Sequence, residues 1–114
     1  SLPANLRVKA DIEAAASALE LAKEIGQTGD PAELRARLDA NPKDNQARFD
    51  LALALFARSD AEGAIDELLE LVRRDRAWND EAARKQLVKV FDTLGGAHEL
   101  TVAGRRRLSS VLFS

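Results

Sequence analysis

The sequence predicts an all-α domain of about six helices arranged as three antiparallel pairs. Apolar residues recur at helical spacing in nearly every segment between turn signals. Alanine and leucine dominate, and runs of β-branched residues are absent. Helix stops and starts punctuate the chain at Gly26, Asp30-Pro31, Asn41-Pro42, Ser59-Asp60 and Gly95-Gly96. With 114 residues, 46% hydrophobic and 32% charged, the chain can bury one real core but not two.

The first helix is expected from Asn5 to Gly26, with Leu6 or Val8, Ile12, Ala15, Ala16, Leu19, Ala22 and Ile25 facing inward. Gly26 serves as its C-cap. Asp30 as N-cap and Pro31 at the first helical position start the second helix, which runs to Asp39 or Ala40 with Leu34 and Leu38 inward. Asn41-Pro42 ends it, because the residue before a proline is pushed out of the helical region.

The central pair spans about Asp44 to Arg58 and Ala61 to Arg74. On its first helix, Ala47, Leu51, Ala54, Leu55 and the stem of Arg58 form one apolar side, while Phe49, Leu53 and Phe56 form a second stripe. A helix apolar on two sides touches neighbours on two sides. Asp60 is placed to cap the next helix, which should bury Ala64, Ile65, Leu68, Leu69, Leu71 and Val72. Acids early in that helix and Arg73 and Arg74 late in it suit the macrodipole.

The segment Arg73 to Asp80 holds the sole tryptophan and a dense charge cluster. Trp78 either seals the junction between helix pairs or forms a binding hot spot. Asp80 is expected to cap a fifth helix from Glu81 to Leu94, with Ala83, Leu87, Val90, Phe91 and Leu94 inward and Lys85, Lys89 and Asp92 outward. The sixth helix is expected from Leu100 to Leu112, with Leu100, Val102 or Ala103, Leu108, Val111 and Leu112 inward. Phe113 then adds exposed apolar weight at the chain end.

This spacing is similar to that of the tetratricopeptide repeat, a helix–turn–helix of about 34 residues. Leu51 and Ala52 fall at its large–small pair, and Ala64 falls where the two helices cross closely. Leu55, Leu68 and Leu71 take the remaining packing positions. Asn41-Pro42 matches the closing proline of a first unit whose second helix is about one turn short. Two positions depart from the pattern: Arg48 stands where tryptophan is usual, and Arg76 where proline is usual.

Composition removes several function classes. The net charge is −2 and the pI about 5.4, against the basic surplus of a dedicated nucleic-acid binder. Aromatic residues are only 4%, too few for base-stacking platforms. There is no cysteine, hence no disulfide, thiol nucleophile or cysteine-ligated zinc. No signal-peptide pattern or membrane-length apolar run is present, and a cytoplasmic location is expected. With no methionine even at position 1, the sequence is expected to be a domain excised from a longer chain.

No catalytic, cofactor or metal residues are expected, and the domain should not be an enzyme. His98 is the sole histidine, with no nucleophile placed beside it. Asp66 and Glu70 share a helix face but lack a third ligand. Gly95-Gly96 is isolated and is not a phosphate loop.

Two runs carry a further likeness: Arg73-Arg74-Asp75-Arg76-Ala77-Trp78-Asn79-Asp80-Glu81-Ala82-Ala83-Arg84-Lys85-Gln86-Leu87, and Arg105-Arg106-Arg107-Leu108-Ser109-Ser110-Val111-Leu112-Phe113. They resemble the C-terminal tetratricopeptide-like domain of bacterial thioredoxin-fold co-chaperones, the chaperedoxins. The resemblance covers about Ile12 to the end. It implies a thioredoxin-like domain upstream, and a role in holding unfolding clients and passing them to GroEL-type or DnaK-type chaperones. The chain has no Cys-x-x-Cys and no βαβ pattern, so no redox role transfers to these residues.

If the domain binds peptides, the first helix of each pair should line the groove of the array. That places Phe49, Leu53 and Phe56, with Lys85 and Lys89, on the binding face. The competing arrangement has the first helix packing over them, since a short array tends to close its groove. Arg105, Arg106 and Arg107 either contact an acidic partner or cover the core with their stems, and Phe113 offers a hook. The alternative function is a structural domain that oligomerises or docks an attached redox domain.

Overall fold

The computed structural model describes residues 14–19 and 29–114, and all regular structure among them is helical. Residues 14–19 belong to α1. Then follow α2 (Pro31–Ala40), α3 (Asn45–Ala57), α4 (Ala61–Arg74), α5 (Trp78–Leu94) and α6 (Glu99–Leu112). The all-α array of paired helices is the architecture that the periodicity predicts.

Local chemistry sets the first boundaries. Asp30 accepts from the Ala32 amide at 3.0 Å, and Pro31 occupies the first helical position. Asp44 accepts from the Ala47 amide at 3.0 Å, and Asp60 from the Gly63 amide at 2.9 Å. Each cap satisfies a donor that the helix leaves open, for about 1 kcal/mol. The Asp44 carboxyl is held below the usual range by that amide and by Arg37 beside it.

Helix α4 lies at the centre, packing against α3, α5 and α6, while α2 covers α3. All six residues expected inward on α4 are buried. Each buried leucine, isoleucine or valine contributes about 2 kcal/mol of transfer free energy. From α3 come Ala47, Leu51, Ala52, Leu53, Ala54 and Leu55, and from α5 come Ala83, Leu87, Val90 and Phe91. Arg58 is exposed in the α3–α4 turn, because the chain leaves the helix there and its stem no longer follows the apolar side.

Arg48 fills its unusual position with a crosslink instead of aromatic bulk. Its Nη1 donates to Glu67 Oε2 of α4 at 2.8 Å, and its Nη2 donates to the Pro42 carbonyl at 3.2 Å. One side chain thereby joins α3, α4 and the loop before α3. Its Nε is buried with no hydrogen-bond partner among the described residues. Removing Glu67 would leave a largely buried charge unmatched, which costs more than the pair itself contributes.

Three further positions differ from expectation. On α1, Ala15, Ala16 and Leu19 are exposed, Leu19 at 60%, while Ala14 and Ser17 are half-buried. An alanine run is apolar on every side, so periodicity there does not pick a face. The other expected inward residues of that helix, Leu6, Val8, Ile12, Ala22 and Ile25, and its cap Gly26, lie outside the described residues. On α6, Val102 is 41% exposed and Ala103 is exposed; the buried positions are Thr101 and Gly104. A Cβ on Gly104 would stand 2.6 Å from Phe91 Cε1, so α6 crosses there only because that atom is missing.

The third correction concerns α5. Asp80 does not cap it; the helix begins at Trp78 behind Ala77, with no side-chain cap. Asn79, Asp80 and Glu81 form a left-handed turn with φ of 49°, 56° and 59°. Asp80 Oδ2 instead accepts from Lys85 Nζ at 2.9 Å, which holds its carboxyl below the usual range. Asparagine and aspartate tolerate left-handed φ, but glutamate there is strained by about 1–2 kcal/mol. In an ordinary helix alanine is about 1 kcal/mol better than glycine. Here the order should invert: Glu81→Gly should be about 1 kcal/mol more stable than Glu81→Ala in urea denaturation, since both lose the same side chain and only glycine relieves the Cβ. A more stable alanine variant contradicts the left-handed turn.

Candidate functional site

The strongest candidate is the surface around the aromatic residues of α3. Phe49 and Phe56 are half-buried and pack against the core. Leu53, between them, is only 4% exposed and serves mainly as core. Phe49 meets Trp78 with ring centroids 5.6 Å apart and planes tilted by 56°, a favourable aromatic geometry. Trp78, half-buried, thus ties the start of α5 back to α3. Phe56 lies at the other end of α3, where it lines a cleft with Leu94 and Leu100.

The charged candidates separate into tethered and open groups. Lys85 is exposed but engaged by Asp80, and Lys89 is half-buried. On α6, Arg105 stands 6.0 Å from the centroid of the Phe91 ring, within cation–π range. Arg107 donates to Asp66 Oδ1 of α4 at 2.6 Å, and Arg106 is exposed. Phe113 is 84% exposed at the end of α6. The structure therefore joins Phe49 to Trp78, and Arg107 to α4, but does not draw all the candidates into one site.

Several other titratable side chains among the described residues are engaged locally. No group of three or more histidine, cysteine or acidic side chains there could hold a metal ion. Asp66 is taken by Arg107, and Glu70 by Arg73 and Arg74. His98 acts as a helix cap, because its Nδ1 accepts from the Leu100 amide at 3.0 Å at the start of α6. That bond leaves the ring proton on Nε2. A cavity of about 470 Å³ between α2, α3 and α4 is walled by Arg35, Asp39, Arg48 and Glu67, of which Arg48 and Glu67 pair with each other. No described helix is long and apolar enough to cross a membrane.

The arginine strip before Trp78 is partly spent within its own helix. Arg73 Nε donates to Glu70 Oε2 at 3.1 Å and Arg74 Nε donates to Glu70 Oε1 at 2.7 Å. Hydrogen bonds from Arg73, then from Arg74, push the Glu70 carboxyl from 4.5 down to about 2, against partial burial. A lowered folded value stabilises the fold above pH 4.5, and the gain is lost as pH falls toward 2. The Glu70 side chain is 30% exposed and its partners more so, which screens the pair to about 1 kcal/mol. Glu70→Gln should thus lower stability by about 1 kcal/mol at neutral pH in urea denaturation. The difference should fade between pH 4.5 and about 2, and an undiminished difference there contradicts the pairing.

Comparison with known families agrees with this geometry. A sequence model described as "Tetratricopeptide repeat" matches residues 24–113, most of the chain. No match was found among curated proteins or solved structures. Stacked helical hairpins, an alanine at the close crossing and that match converge on one conclusion: the chain belongs to the tetratricopeptide repeat family.

Proposed function

We propose that the domain is the protein-binding part of a thioredoxin-like co-chaperone, holding unfolding clients and handing them to a GroEL-type or DnaK-type chaperone in the cytoplasm. Tetratricopeptide repeats generally mediate protein–protein interaction, and the family match is the observation that carries the protein-binding part of the reading. The likeness of the segments from Arg73 to Leu87 and from Arg105 to Phe113 to chaperedoxin sequences supplies the co-chaperone part. In this reading Phe49 and Phe56 grip apolar client segments, Leu53 holds α3 behind them, and Lys85 and Lys89 flank the face. Arg105, Arg106 and Arg107 with Phe113 engage the larger chaperone.

The half-buried aromatics favour this surface. Each exposes part of a rigid ring while its remainder is anchored in the core, the form that binding anchors take. In this reading thiol chemistry belongs to the upstream thioredoxin-like domain that the chaperedoxin resemblance implies; the sequence here has no cysteine.

The test is suppression of aggregation of a heat-denatured enzyme by the domain. The Phe49→Ser, Phe56→Ser double variant should lose suppression while circular dichroism shows the helices retained. A folded double variant that suppresses as well as the parent rejects the α3 surface.

A further inference from the structure

A second surface lies between the α3–α4 turn and the α5–α6 turn. There a cleft of about 540 Å³ opens, with Phe56, Leu94 and Leu100 on its floor and Asp60, Glu62 and His98 at its rim. A smaller hollow of about 100 Å³ continues along α4 and α6. The two share Glu62 and Leu100, and the hollow adds Ile65, Ala103 and Gly104, with Arg107 lining it too. Gly104 shapes this groove, because its missing side chain lets α6 sit deep against Phe91 and Ile65.

The charge of the groove selects among partners. Asp60 and Glu62 line the cleft at the start of α4, Asp60 with its Oδ1 already accepting from the Gly63 amide. The positive poles of α4 and α6 offset only about half a charge each, so the acids prevail. Arg107, the arginine that lines the groove, is neutralised by Asp66. Arg58 and Arg105 line neither wall, Arg105 lying beside Gly96 in the α5–α6 turn with its guanidinium over Phe91. Glu62 is exposed, so its carboxylate is available at the point where cleft and hollow meet.

We propose that this groove docks a short peptide segment carrying one or two large apolar side chains flanked by lysine or arginine. The apolar side chain enters the cleft over Phe56, Leu94 and Leu100. The flanking cations meet Asp60 and Glu62. An acidic segment of the same apolar content is repelled, so charge sets the choice of partner and the apolar floor supplies the affinity. The assignment does not depend on the co-chaperone reading and shares only Phe56 and Arg107 with the surfaces proposed for it.

The probe is a fluorescent hexapeptide with a leucine–phenylalanine pair between two lysines on each side, compared with the same peptide carrying glutamates. Fluorescence anisotropy should show the lysine peptide binding and the glutamate peptide not. Added salt should weaken the binding. Glu62→Lys should weaken it about tenfold, whereas Glu33→Lys, an equal charge change on exposed α2 surface, should leave it unaltered. Ala103→Trp, which fills the hollow from an exposed position, should also weaken it. Amide shifts in nuclear magnetic resonance should concentrate in residues 56–66 and 94–107. Equal binding of both peptides, no binding of the lysine peptide, an unaffected Glu62→Lys variant, or shifts centred on Phe49 and Trp78 would each overturn the proposal. Phe49→Ser should spare peptide binding even if it abolishes client holding, so the two surfaces fail separately.

Discussion

Close approach of α3 and α4 is the constraint on which the rest of the domain rests. Ala64 on α4 and Ala47, Ala52 and Ala54 on α3 are buried small residues, and α3 and α4 pack against each other. A larger side chain at such a crossing would force the helices apart and open voids along the seam. The Arg48–Glu67 bridge closes the same seam at its polar edge. Once α4 is seated on α3, its remaining sides receive α5 and α6, and α2 completes the far side of α3.

The interior falls off in density toward the end of the chain. Helix α4 buries six residues completely, whereas α6 buries only Thr101 and Gly104. Leu100, Leu108, Val111 and Leu112 are half-buried, and Phe113 is exposed. Among the described residues, α6 is held by the close approach of Gly104 to Phe91, the Arg107–Asp66 ion pair and a band of partial contacts. Arg105, Arg106 and Arg107 are all exposed along α6. Apolar floor in the α4–α6 groove and aromatic edge on α3 are the surfaces that this packing leaves unfinished.

Much of this could be read from the residues alone. Asp30-Pro31 and Ser59-Asp60 fixed two helix starts, because a capping side chain acts within three residues of itself. The core of α4 was legible because its apolar residues fall on one face with acids and arginines on the other. The face of α6 was not: threonine and glycine carry no apolar signal, and at Gly104 it is closeness to Phe91 that sets the buried face. Nor could the left-handed turn at Asn79 to Glu81 be read, since Asn79-Asp80 looks like an ordinary helix start. The groove walls come from residues such as Phe56 and Leu100, distant in sequence and joined only by the turns. No local pattern marks that pairing, nor the bridge from Arg48 to Glu67.

Native-state hydrogen exchange tests the central claim most directly. If the α3–α4 seam is the seat of the fold, amides of Leu51 to Leu55 and Ile65 to Val72 should exchange only through global unfolding. Amides of α6 should open at lower free energy, ahead of the rest. Equal protection across α6 and α4, or earlier exchange in the α3–α4 pair, would contradict the account.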